Sequence, residues 1–156
     1  MQKVGFVGIG LMGRQITRRL IMAGFPLTIW NRTKERAQEI LDAGAAWAET
    51  PAACARAAEV VITMVTDSAA SEKVICGSGG VLEGAHPGMI LIDMGSIAPE
   101  MSRSIAAQAK AKEVPMLDAP VTGNPKVASE GKLGIMAAGP RAIYDACLPE
   151  IGRAHV

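Results

Sequence analysis

An excess of charge of either sign is missing from this sequence. Sixteen Lys and Arg stand against 15 Asp and Glu, a formal net charge of +1 across 156 residues. That balance excludes a strongly basic nucleic-acid binder. Cysteine is sparse: Cys54, Cys76 and Cys147 are an odd number at wide spacing, with no Cys-x-x-Cys pair. The pattern excludes a disulfide scaffold or a zinc ribbon and fits a reducing, cytoplasmic compartment. The two histidines, His86 and His155, fall in no metal-ligand pattern, so no metal is expected. No apolar run reaches the roughly 18 residues of a membrane span. The glycine-rich stretch from Val4 to Leu11 is too short for a signal peptide, so chain structure is expected from the start. Aromatics amount to only 3%. Glycine (17) and methionine (9) are plentiful instead, a composition suited to tight βα turns and close helix–sheet packing in an ordered domain.

Short apolar runs alternate with helical patterns along the chain, the mark of parallel βαβ units. Strands are expected at Val4–Val7, Leu27–Trp30, Val60–Met64, Met89–Ile92, Pro115–Leu117 and Leu133–Ala138, with an edge strand from Ile151 to Val156. Between them, one helix carries Met12, Ile16, Leu20 and Ala23 on a single face and stops at Gly24. A second spans Thr33 to Ala43, capped by Thr33 and ended by Gly44. Further helices start at Pro51, at Asp67 or Ser68, at Pro99 (with Met101, Ile105 and Ala109 inward) and at Pro140, the last running through Leu148. About seven strands with interposed helices and no linker give one α/β domain over residues 1–156: a Rossmann-type doubly wound, mostly parallel sheet with helices on both faces.

The segment most informative about chemistry is Gly8-Ile9-Gly10-Leu11-Met12-Gly13. As a bare string, G-x-G-x-x-G is weak; between a strand and a helix it is a dinucleotide-binding fingerprint. Gly8 permits the turn, Gly10 removes the Cβ that would block a pyrophosphate, and Gly13 lets helix approach strand. The helix N-terminal amides then face the anion. Choice of cofactor turns on the end of the second strand, where an NAD site carries an acid. Here the residues are Asn31, Arg32 and Thr33. Asn31 has no charge to repel a phosphate, and the Arg32 guanidinium can hold one bidentately, so NADP is expected ahead of NAD.

With those residues placed, the chain resembles the N-terminal cofactor domain of the β-hydroxyacid dehydrogenases. That family includes 3-hydroxyisobutyrate dehydrogenase, tartronate semialdehyde reductase and the glyoxylate/succinic semialdehyde reductases. Besides the glycine loop, the resemblance rests on Ile62–Asp67 (ITMVTD), Leu91–Ser96 (LIDMGS) and Leu117–Gly123 (LDAPVTG). It implies that Met64, Val65 and Thr66 pass under the adenosine ribose and pyrophosphate. It also implies that Ser96 lies beside the nicotinamide, a catalytic and substrate-binding hydroxyl with a helix N-cap as its bland alternative. Thr122, Gly123 and Asn124 would form the loop that holds a small carboxylate substrate, with Thr122 acting in catalysis. Thr122 replaces the usual Ser and adds a methyl; Asn124 replaces a usual Gly and points toward the semialdehyde or imine reductase branches. The family's general acid/base is a lysine in a following all-helical domain, which this chain does not include. Lys126 and Lys132 do not match it and are expected on a solvated surface helix. Implied for the whole protein are hydride transfer between NADP(H) and a small β-hydroxy acid or semialdehyde, and homo-oligomers without nucleic-acid or membrane partners. The alternatives are a non-catalytic nucleotide-binding or oligomerisation module on the same fold, or an imine reductase cofactor domain.

Overall fold

The computed structural model describes residues 1–152. Six parallel strands form the main sheet in the order β3-β2-β1-β4-β5-β6: β1 Val4–Val7, β2 Leu27–Trp30, β3 Ala46–Trp47, β4 Val60–Thr63, β5 Ile90–Asp93 and β6 Met116–Asp118. Strands β1, β4 and β5 are buried at every residue, because helices cover both sides of the sheet. Alternate side chains feed two separate cores. Phe6, Ile29, Ile62, Ile92 and Leu117 fill one face. Val7, Val61, Leu91 and Met116 fill the other, together with Cys54 and Ile75. The strand order reverses direction between β1 and β4, which opens a crevice at their carboxyl ends.

Helix α1 (Leu11–Met22) buries Gly13, Thr17 and Leu20 most deeply, a stripe rotated from the expected one; Ile16 packs at its side and Ala23 is exposed. The reason is Gly13: the helix comes so close to β1 there that only a residue without a side chain fits beneath it. The span expected as one helix from Thr33 is a 3₁₀ turn, Lys34–Ala37, followed by α2, Gln38–Asp42. Thr33 makes no side-chain cap; its carbonyl instead accepts from Asn31 Nδ2. Next come α3 (Pro51–Arg56), capped by Thr50, and α4 (Ser68–Cys76), capped by Asp67, whose Oδ1 accepts from the Ala70 amide at 2.8 Å. Helix α5 (Pro99–Ala111) starts with Pro99 after Ala98, and buries Ser102, Ile105 and Ala109.

The last third departs most from expectation. Leu133–Ala138 does not join the main sheet. Only β8 (Gly134–Ile135) is a strand, antiparallel to β7 (Val121–Thr122), and Asp118 bridges to Ala138. Between them lies α6 (Pro125–Ser129), which carries exposed Lys126; Lys132, also exposed, sits beyond it in the link to β8. The helix expected from Pro140 breaks into α7 (Arg141–Ala146) and α8 (Leu148–Ile151). Pro149 supplies the cause, since its ring lacks the N–H that a continuous helix would donate to the Asp145 carbonyl one turn back, and Pro149 sits instead in the first turn of α8. Ile151 closes α8 rather than starting an edge strand; the remainder of that expected strand, from 153 on, lies outside the described residues. No described helix is long and apolar enough to cross a membrane.

Candidate dinucleotide and substrate site

All six strands point their carboxyl ends the same way, so the loops after β1, β2, β4, β5 and β6 gather along one edge. Four of them are held at matching depth by a bond to the neighbouring strand. Gly8 N donates to Trp30 O at 3.0 Å, Met64 N to Val7 O at 2.9 Å, Met94 N to Thr63 O at 2.8 Å and Ala119 N to Asp93 O at 2.8 Å.

The glycine loop forms the middle of this edge. Gly8 has φ +106°, and a Cβ there would lie 2.2 Å from Met64 O. A Cβ on Gly13 would lie 2.1 Å from Gly8 O. Gly10 is different: its φ is −85°, and a Cβ would meet nothing within 4 Å. The fold itself does not require glycine at 10, and the open space above it is where an anion can approach backbone. Leu11 is exposed and Met12 partly so at the start of α1, a helix with no capping side chain and no acid in its first turn. Its free amides suit a pyrophosphate. The Ile9 amide is committed elsewhere, donating to Asn31 Oδ1 at 2.9 Å.

Asn31 therefore ties the two nucleotide loops together, because its Nδ2 also donates to Thr33 O at 2.8 Å. Arg32 is exposed, with no hydrogen bond or ion pair to any described residue. Its neighbours are less free. Lys34 lies 5.0 Å over the Trp47 ring. Arg14 bonds Arg36 O and pairs with Glu39, which also pairs with Arg18. Arg36, four residues beyond Arg32 and within the 3₁₀ turn, is a second exposed cation that sequence reasoning had not marked.

Beyond β4, Met64 and Val65 are half-buried against the glycine loop, and exposed Thr66 bonds Asp67. Gly95 packs against Val65 O, placing exposed Ser96 beside this segment. Ser96 is not a cap: the residue before α5 is Ala98, whose amide is taken by Ser68 Oγ. Its hydroxyl makes no bond to a described residue, and neither does that of exposed Thr122. Gly123 follows with φ +137°. Asn124 spends Oδ1 on capping α6, accepting from Val127 N at 3.0 Å, so Nδ2 is what it can offer a ligand.

Next to the Gly95–Ser96 loop lies a group that sequence reasoning missed. Asp93, the last residue of β5, is fully buried. Its Oδ1 accepts from Thr63 Oγ1 at 2.8 Å and from the Gly95 amide at 3.2 Å, while Oδ2 has no hydrogen-bond partner among the described residues. Burial, helped by the nearby Asp118 charge, pushes this carboxyl above the usual range, against the pull of Thr63, Gly95 and the Ser71 hydroxyl. An acid ending an otherwise apolar strand was the available signal. The raised folded pKa favours the neutral acid. Its contribution to stability is present below the unfolded pKa and is lost as pH rises through the folded one. Asp93→Asn cannot ionise and keeps an acceptor for Thr63 and Gly95. Its stability relative to wild type should therefore increase between pH 4 and pH 7.5, as read from denaturant midpoints at the two pH values.

Taken together, the sheet order, the glycine loop at its reversal and the open anion space define a dinucleotide-binding α/β domain. Residues 3–153 match the family model of the NAD binding domain of 6-phosphogluconate dehydrogenase, and the chain belongs to that family. Among curated relatives, it is 40% identical to an uncharacterized oxidoreductase, YkwC, of Bacillus subtilis, over 94% of this chain and 51% of that protein. It is 35% identical to glyoxylate/succinic semialdehyde reductase 1 of Arabidopsis thaliana, over 94% of this chain and 51% of the reductase. It is also 35% identical to the cytokine-like nuclear factor N-PAC of Xenopus tropicalis, over 94% of this chain but 27% of N-PAC. Among solved structures, Psf3 in complex with NADP+ and 2-OPP superposes with TM-score 0.91 at 31% identity, covering 98% of this chain and 55% of Psf3. Mycobacterium tuberculosis 3-hydroxyisobutyrate dehydrogenase with L-serine gives 0.91 at 26%, covering 97% and 51%. Streptomyces aurantiacus imine reductase gives 0.85 at 29%, covering 96% and 52%. The resemblance to the hydroxyacid dehydrogenases is thus borne out. The chain spans about half the length of these oxidoreductases.

Proposed function

We propose that this chain is the nucleotide-binding half of an NADP(H)-preferring reductase acting on a small hydroxy acid or semialdehyde. The observation that carries the cofactor preference is the exposed, unpartnered Arg32 guanidinium beside Asn31, where an NAD site would place a carboxylate. Gly10 and the first turn of α1 hold the pyrophosphate; Gly8 and Gly13 hold the loop in shape. Met64, Val65 and Thr66 line the nucleotide between the two halves of the sheet. Bound NADPH supplies a hydride for reduction of a carbonyl. The hydroxyls of Ser96 and Thr122 orient the substrate against it, and the Gly123 and Asn124 amide groups receive the carboxylate. Proton transfer falls to a lysine of a following helical domain.

The chain's similarity to N-PAC, which is named as a nuclear factor and not as an oxidoreductase, favours a second reading, a non-catalytic nucleotide-binding or oligomerisation module on the same fold. The two unspent hydroxyls, Ser96 and Thr122, support the reductase. Fluorescence titration with NADPH and NADH tests both parts. We expect NADPH to bind at least tenfold more tightly, one charge-assisted bond's worth of about 1.4 kcal/mol or more. Equal affinity would remove the role of Arg32, and no binding of either would remove the dinucleotide reading. Turnover of glyoxylate or succinic semialdehyde by the longer protein, abolished when the following domain's lysine is replaced, separates reductase from module.

A further inference from the structure

The antiparallel pairing of β7 and β8 sets Thr122 directly opposite Gly134. A Cβ built on Gly134 would stand 2.5 Å from Thr122 Oγ1, while the other nearest atoms, Thr122 Cβ and O, are 3.8 and 4.0 Å away. Gly134 is not among the residues with positive φ. Its backbone is open to any residue, so the position is glycine-like for room and not for conformation. The room is filled by one atom, the Thr122 hydroxyl.

Resting on the reading above, in which Thr122 meets the substrate, we propose that Gly134 is a positioning residue that sets the direction of the Thr122 hydroxyl and thereby how the substrate is oriented. Threonine is stiff at χ1, because the hydroxyl and the methyl move together between three staggered positions. With glycine opposite, Oγ1 sits in the notch over β8 and the methyl takes another position. With alanine opposite, the notch excludes the hydroxyl and excludes the larger methyl even more strongly. Only the rotamer that turns the β-hydrogen toward β8 remains, and the hydroxyl swings away by about 120°. The hydroxyl makes no bond to a described residue, so nothing else in the loop holds its direction. The added methyl that distinguishes threonine from serine at 122 and the bare Gly134 therefore work as a pair.

Two measurements on Gly134→Ala test this. Three-bond couplings to the Thr122 methyl carbon, recorded on this chain, report χ1. A single rotamer is expected in wild type and a different one in the variant, and an unchanged rotamer in a folded variant overturns the proposal. In the longer protein with NADPH, Gly134→Ala should lower kcat/KM for glyoxylate and succinic semialdehyde by about tenfold or more, with NADPH affinity unchanged. In a Thr122→Ala background the same substitution should have no further effect, since there is no hydroxyl left to displace. A further loss in that background would show that Gly134 acts by another route and would overturn the proposal. Absence of turnover in the wild type counts against the reductase reading alone, and the rotamer then decides for Gly134.

Discussion

Replacing Gly10 with alanine is expected to weaken dinucleotide binding by a hundredfold or more while leaving the fold almost untouched; replacing Gly13 is expected to damage the fold first. At Gly10 the backbone is ordinary and a methyl would touch no protein atom. Stability should stay within about 1 kcal/mol, the scale of an N-cap change. The methyl stands instead in the space proposed for the pyrophosphate, so NADPH affinity should fall by a hundredfold or more, about 2.7 kcal/mol. At Gly13 the methyl would come 2.1 Å from Gly8 O, with the Phe6 ring 3.1 Å away. Backbone cannot rotate aside as a side chain can. A cost of about 3 kcal/mol for overpacking the seam between α1 and β1 follows, and with it a fall in Tm of roughly 6 to 12 °C. Thermal melts and NADPH titrations on the two variants check both claims together. A Gly10→Ala protein that binds like wild type would mean the phosphates cross elsewhere.

Arg32→Asp should reverse the cofactor preference. The guanidinium is held by no described residue, so its loss costs the fold little, and changes at such a surface position stay within about 0.5 kcal/mol. A carboxylate in its place repels a 2′-phosphate and can accept from a free 2′-hydroxyl. The lost charge-assisted bond, about 1.5 to 3 kcal/mol, and the added repulsion act in the same direction. NADPH should weaken by about a hundredfold while NADH holds or improves, measured by the same titration at low salt. If NADPH loses only a few-fold, Arg36 on the next turn is the residue that carries the phosphate.

How far the chain could be read beforehand depended on whether a segment's partners were local. The central strands were legible because full burial on both faces leaves an uninterrupted apolar run, as in Val60–Ile62 and Ile90–Ile92. The glycine loop was legible because close approach of backbone to backbone admits one residue type. Strand β3 was not foreseen: Ala46 and Trp47 pair with β2 at an exposed edge, where two residues carry no periodicity. Leu133–Ala138 looked like another sheet strand, yet it turns back on Val121–Thr122, a pairing that only the path of the chain decides. Of the site, residue types came through and commitments did not. Nothing in the order of residues says that Asn31 takes the Ile9 amide, whereas Asn124 ahead of Pro125 and an acid at the end of an apolar strand were signals that local reading left unused.

The two hydrogen bonds of Asn31 bear on how cofactor choice could change in this fold. The position where an NAD site carries an acid is here the clasp between two loops: Asn31 receives from Ile9 and gives to Thr33. An aspartate there would still receive, but it has nothing to give, and it would set a carboxylate oxygen against the Thr33 carbonyl. One mutational step toward NAD would therefore loosen the frame on which either nucleotide rests. A change by way of residue 31 would need a compensating change in the Arg32–Thr33 turn, whereas Arg32, which holds nothing, can be replaced alone.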